Sequence, residues 1–114
     1  MTATITTHVL DLTDGKPARG LAVVLEQKDG HTWIERGRGM TDDDGRCRNL
    51  LDPKQMEEGT WRLVFETGVW FAGHALDTFY TSEIVLQFDV TEPAVHHHVP
   101  LLLSQHGYST YRGS

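Results

Sequence analysis

"TWRLVFET", residues 60–67, is the stretch whose reading decides the fold. Trp61, Leu63 and Phe65 occupy alternate positions, and alternate residues of a β-strand point to one face. One face of this segment is therefore large and apolar, and it reads as a strand of a layered fold. Working outward, turn signals recur often and the segments between them are short. Upstream, "TITTHVLDL" (4–12) alternates and is rich in Thr, Ile and Val, a strand composition. Asp14-Gly15 and Lys16-Pro17 punctuate residues 13–20. "LAVVLEQ" (21–27), "TWIERGRGM" (32–40) and the short "RCRNL" (46–50) read as further strands, separated by "KDGH" and "TDDDG" turns. Residues 52–59 read as a loop. Downstream, "VWFAGHALDTF" (69–79) does not alternate and is predicted as one or two helical turns. "EIVLQFDV" (83–90), "AVHHHVPLLL" (94–103) and "YSTYRG" (108–113) complete eight predicted strands. Short strands, tight turns and one short helix predict an all-β protein, an antiparallel β-sandwich.

A chain of 114 residues is one domain's worth, so residues 1–114 are expected to share a single core. Ten basic against sixteen acidic residues give a net charge of −6, which repels phosphate backbones. No nucleic-acid partner is expected. Cys47 is the one cysteine, so no intrachain disulfide can form, and the residue reads as a small buried hydrophobe. The opening "MTATITTHVL" lacks a basic n-region and a long apolar stretch, so it reads as mature protein and the expected setting is cytoplasmic. No apolar run approaches the ~20 residues of a membrane span, and no membrane partner is expected.

Seven histidines stand out. On a strand, His96 and His98 share one face and His97 takes the other. A pair at that spacing is compatible with a metal, but zinc wants three or four protein ligands and no Cys/His pair has finger spacing, so no metal is expected. His8 lies mid-strand on the face of Leu10 and gains meaning if another subunit covers that face. "TDDDGR" (41–46) fails as a calcium loop. With Asp42, Asp44 and Gly45 in register, the loop starts at Met40 and ends at Leu51, where a bidentate Glu is required. It reads instead as a turn with Gly45 at positive φ. Patterns for a serine elbow, a phosphate loop or a Cys–His nucleophile are lacking. The C-terminal "GYSTYRGS" (107–114) carries aromatic and cationic side chains where chain ends are usually plain and polar. From the residues alone, His8, Arg46, His98 and this tail are the candidates for chemistry.

"HVLD" (8–11) with "GKPARGLAVVLE" (15–26), "TDDDGR" (41–46) and above all "HVPLLLSQHGYSTYRGS" (98–114) resemble the transthyretin-like proteins, specifically the 5-hydroxyisourate hydrolase branch. The resemblance spans essentially the whole chain. It implies two four-stranded sheets with one short helix, assembled as a homotetramer, a dimer of dimers. It also implies clefts at the ends of a channel between the dimers. By motif, the family's catalytic residues fall on His8, Arg46, His98 and Ser114. The tail strand would bring Tyr111, Arg112 and Gly113 to the substrate. The implied reaction is hydrolysis of 5-hydroxyisourate, a product of urate oxidation. Water attacks the C6 carbonyl, the N1–C6 bond opens, and 2-oxo-4-hydroxy-4-carboxy-5-ureidoimidazoline results. No cofactor is implied, because the carbonyl is already electrophilic. His98 is read as base or water-orienting group with His8 as its partner, the two roles being exchangeable. Arg46 is read as the oxyanion stabiliser, and Ser114 as orienting a histidine or the substrate through its hydroxyl or carboxylate. The alternative is a non-catalytic small-molecule carrier of the same fold, against which the bulk of Tyr111 near the channel counts. The chain departs from the family pattern at His97, usually aromatic, at His106, usually Tyr, and at Thr81-Ser82, where a Pro is common.

Overall fold

Trp61, Leu63 and Phe65 lie fully buried on one face of a central strand, as their alternation requires. The fold around them is taken from a computed structural model that describes residues 3–73 and 81–113. The strands, in chain order, are β1 (Ile5–Asp11), β2 (Lys16–Pro17), β3 (Ala22–Asp29), β4 (Thr32–Met40), β5 (Arg46–Cys47), β6 (Gly59–Phe65), β7 (Ile84–Val90), β8 (His97–Ser104) and β9 (Gly107–Thr110). One sheet has the order β4-β3-β6-β7, and the other β2-β1-β8-β9 with β5 also paired to β1. Ile5, Val9, Leu101 and Leu103 from the second sheet meet Val23, Leu25, Trp61, Leu63, Phe65 and Ile84 from the first in one cluster. Burying each such side chain contributes about 1.5–3 kcal/mol, so this interface dominates the stability of the sandwich.

Every predicted strand is present, with differences that have local causes. Among the described residues, all strand pairings are antiparallel except that of β1 with β8, which run parallel from Ile5 opposite His97 to Asp11 opposite Leu103. The two strands come from opposite ends of the chain with the other sheet between them, so no hairpin dictates their direction. The strand predicted over 46–50 pairs only at Arg46 and Cys47. β2, read as a turn, makes a two-residue ladder with Leu10 and Asp11. The predicted tail strand shifts to Gly107–Thr110, and Gly113 returns to bridge His98. The predicted helix is α1 (Thr67–Gly73), pinned where the Trp70 indole N–H donates to the Arg19 carbonyl at 2.7 Å. The remainder of that prediction, 74–79, lies outside the described residues. No described helix is long and apolar enough to cross a membrane. Cys47 is buried, and that burial pushes its thiol pKa up, as expected of an inert core thiol.

The 41–45 turn sets the position of β5. Asp42 accepts backbone N–H bonds from Asp44 and Arg46 through its carboxylate, both at 2.9 Å. Gly45 has φ +78°, and its carbonyl accepts from the Val9 N–H at 2.7 Å. A side chain there would be strained in φ and would also collide with the Val9 carbonyl oxygen. Gly45→Ala should therefore cost at least ~2 kcal/mol of unfolding free energy, read as a lower urea midpoint at unchanged slope. A midpoint within error of the parent would show that the turn relaxes freely.

Candidate active site

The parallel pairing of β1 and β8 places Thr6 opposite His98. The Thr6 Oγ1 lies 2.8 Å from His98 Nδ1 and 3.0 Å from His96 Nε2. The other ring nitrogen of His96 accepts from the Thr4 backbone N–H at 3.1 Å. His96 and His98 thus share one face of the sheet, as alternation predicts. His97 faces the other way, buried, donating to the Val95 carbonyl and stacked on Phe88 with ring centroids 5.9 Å apart. In this chain the imidazole of His97 fills a ring-stacking position, so its departure from the family's aromatic residue leaves a stack in place.

The opposite edge of the His98 ring meets main chain. Gly113 donates its N–H to the His98 carbonyl at 2.9 Å. A Cβ on Gly113 would sit 2.5 Å from His98 Cδ2. Glycine is required here by close approach to the imidazole. On β5, paired to β1 with His8 opposite Arg46, Arg46 reaches the same region. His8 donates from Nε2 to the Asp44 carbonyl at 2.9 Å, so the 41–45 turn fixes this ring as well as Arg46.

Arg46, Arg48, His98, Arg112 and Gly113 line one cleft of about 710 Å³, together with Thr6 and His96. Arg19, Arg36, Arg38 and Arg62 each pair with a carboxylate elsewhere. The other three arginines all line this cleft and form no ion pair among the described residues, and no acidic side chain lines it. Concentrating uncompensated guanidinium groups in a concave site of an acidic protein creates a local positive field and a set of planar donors. Such a site suits a planar ligand with carbonyl or anionic oxygens. Burial first, then Arg46, His8, His96 and Arg48, hold the His98 pKa below its ordinary value. Near neutral pH this imidazole is therefore uncharged.

Of the residues expected in the site, His98, Arg46, Arg112 and Gly113 line the cleft. His8 stands beside it on β1, turned to the Asp44 carbonyl. Tyr111 lines a neighbouring groove between β7 and β9, which His98 and Arg112 also border. Ser114 lies outside the described residues. Five lining residues had no assigned role in the sequence reading: Thr6, Thr7, Arg48 and Val95 carry no signal of their own there, and His96 enters only as a metal ligand. For Arg48, Thr6 and His96 the available clue was alternation, since Arg48 sits two positions from Arg46, and Thr6 and His96 two positions from His8 and His98. Among the described residues, no group of three His, Cys, Asp or Glu side chains is placed to hold a metal ion.

Residues 5–113 match the model of the HIUase/Transthyretin family. A 5-hydroxyisourate hydrolase of Salmonella typhimurium is 48% identical over 110 residues, covering 96% of this chain and 80% of that protein. The structure of Klebsiella pneumoniae 5-hydroxyisourate hydrolase superposes with a TM-score of 0.85 at 31% identity, covering 98% of this chain and 99% of that one. Sea bream transthyretin in complex with thyroxine superposes with a TM-score of 0.89 at 28% identity, covering 96% and 93%.

The electrostatics of His98 make a test that needs no ligand. Its NMR-monitored pKa should lie below ~6.5, the unperturbed value. Arg46→Gln should raise it only part of the way, because burial, the larger cause, stays. Since the folded-state pKa is the depressed one, the unfolded chain takes up this proton first as pH falls. His98 therefore withdraws stability from about pH 6.5 down to its folded pKa and contributes no further change below it. A His98 that titrates at or above the unperturbed value would contradict the geometry.

Proposed function

The chain belongs to the HIUase/Transthyretin family, and from that premise we propose that it hydrolyses 5-hydroxyisourate by opening the N1–C6 bond to give 2-oxo-4-hydroxy-4-carboxy-5-ureidoimidazoline. The observation that carries this reading is the cleft lined together by a neutral, half-buried histidine and three arginines that form no ion pair among the described residues. The substrate is a fused ring system edged with carbonyl oxygens, and its product gains a carboxylate. A thyroxine-type carrier has no evident use for so concentrated a set of cations around a histidine.

In the proposed reaction, water adds to C6 and negative charge builds on the C6 oxygen. Arg46, held by the 41–45 turn, supplies the stabilising charge. Loss of such a donor costs about 3–4 kcal/mol of transition-state stabilisation. Arg48 and Arg112 hold the remaining ring oxygens and the carboxylate that forms. One proton must leave the water and one must reach N1 as the C6–N1 bond breaks. Imidazole is the side chain suited to that traffic near neutral pH, and His8 and His98 supply it here, a contribution of typically ~10²–10⁴-fold. By resemblance, Ser114 orients one of them or the substrate, and Tyr111 narrows the approach. The lone buried Cys47 suits a reducing compartment, so a cytoplasmic setting is part of the proposal.

A homotetramer, a dimer of dimers, also belongs to this reading. β7 and β9 are the terminal strands of their sheets, and one groove is lined by both, so two open edges lie side by side. Unpaired edges invite a second copy to continue each sheet. A further interface over the outer face of β1 and β8 would then roof the cleft.

Purified protein added to freshly generated 5-hydroxyisourate should speed its ultraviolet decay well beyond the spontaneous rate. Arg46→Ala and His98→Ala should each lower kcat/KM by at least ~10²-fold with an unchanged circular dichroism spectrum. Decay at the spontaneous rate with folded protein would end the hydrolase reading. Sedimentation should give four chains per particle, and an active monomer would remove the roofed-cleft arrangement.

A further inference from the structure

We propose that Thr6 and His96 are positioning residues that lock His98 into the neutral tautomer with its proton on Nε2, so that His98 meets the substrate as a hydrogen-bond donor. Its chemical consequence rests on the hydrolase reading above, while the tautomer itself does not.

The polarity of the chain of hydrogen bonds begins at a group that cannot reverse. A backbone N–H only donates, so the 3.1 Å contact from Thr4 N makes His96 Nδ1 an acceptor. A neutral His96 then carries its proton on Nε2, which lies 3.0 Å from Thr6 Oγ1 and donates to it. The hydroxyl owns one proton, and His98 Nδ1 stands 2.8 Å away to receive it. Were His98 instead to donate from Nδ1, Thr6 would accept twice and its own proton would lose this partner. Thr6 is buried, at 9% exposure, where an unsatisfied donor is penalised. The sequence of donors therefore runs from Thr4 through His96 and Thr6 to His98. It leaves Nε2–H at the far edge of His98, where it forms no hydrogen bond to the described residues. The depressed pKa of His98, caused by burial and by Arg46, His8, His96 and Arg48, keeps the ring neutral and the chain intact near pH 7.

The chemical consequence divides the two histidines. A neutral His98 with its Nε2 occupied cannot accept a proton from water at that nitrogen. It can polarise the C6 carbonyl alongside Arg46, a role that neutral imidazoles fill elsewhere. His8 has the complementary arrangement. Its Nε2–H donates to the Asp44 carbonyl, which leaves the lone pair on Nδ1, with no hydrogen bond to the described residues. His8 then takes the proton from water as the O–C6 bond forms and returns it to N1 as the C6–N1 bond breaks. Protons balance within one residue.

The test is a long-range ¹H–¹⁵N correlation spectrum of the labelled full chain at pH 7.5 without substrate. His98 should show a protonated Nε2 and an unprotonated Nδ1. Thr6→Val, which removes the hydroxyl and keeps the shape, should give a mixed tautomer. It should also lower kcat by ~10–10²-fold with KM changed less than about threefold, the scale on which outer partners of a functional histidine act. Thr6→Ser should restore both. If Thr6→Val fails to fold, His96→Phe breaks the chain one link earlier and should produce the same mixture. A wild-type His98 protonated at Nδ1, or a tautomer unmoved by these variants, overturns the proposal even if the protein hydrolyses 5-hydroxyisourate. The expected tautomer in a protein that fails to hydrolyse it leaves the relay standing and sinks the functional reading alone.

Discussion

The parallel ladder between β1 and β8 is the constraint from which the rest of the structure follows. It joins two strands from opposite ends of the chain and sets Thr6 against His98, with the alternating inner residues Ile5, Val9, Leu101 and Leu103 driven into the core. A slip of one residue would turn every side chain of a strand to the other face. The buried apolar set prevents that slip, because it would turn Ile5 and Val9, or Leu101 and Leu103, out to water. The register of the polar face is therefore held by the hydrophobic face beneath it. Polar groups that need angstrom-level placement gain it from a core that never touches them.

The cationic cleft carries an electrostatic cost that the fold accepts in one place only. Elsewhere, arginines are neutralised by close carboxylates, as in Arg62 with Glu26 at 2.6 Å, where the guanidinium also lies 4.1 Å over the Trp33 ring. In the cleft, three guanidiniums stand without such a partner among the described residues, and a histidine lines the same cleft with its charged form disfavoured. Mutual repulsion makes such a cluster unfavourable in the empty protein, and an oxygen-rich ligand relieves it. Binding and chemistry then draw on the same electrostatic term, which is stronger in a partly enclosed site than in water.

Alternation made a good part of this legible before any coordinates. Trp61, Leu63 and Phe65 had to share a buried face, and His96 and His98 had to share a face that excludes His97. The positive φ of Gly45 followed from a turn that needs glycine. What escaped was non-local. Strand direction between β1 and β8 depends on how the chain crosses between sheets, and no local pattern of residues encodes it. The shortness of β5 was hidden because Arg46, Cys47 and Arg48 alternate, although only Arg46 and Cys47 find a partner strand. The motif resemblance named Arg46 and His98, but Thr6 and Arg48 have no motif of their own. They acquire meaning only when pairing brings them to the same cleft.

The tail shows how little side-chain chemistry a site can need at its edges. Gly113 contributes no side chain, yet it closes one edge of the His98 ring at a distance that forbids a Cβ. On the other edge, the donor sequence through Thr6 and His96 is anchored on a peptide N–H at Thr4. Both restraints end in backbone that the sheet itself holds in place. An imidazole clamped in this way loses few rotamers on binding, since they were already lost on folding, where the apolar core offsets the entropy. That is the physical sense in which the glycine near the end of the chain and the threonine near its start act on one residue. Neither touches the ring's reactive nitrogen, and together they leave it a single direction in which to point.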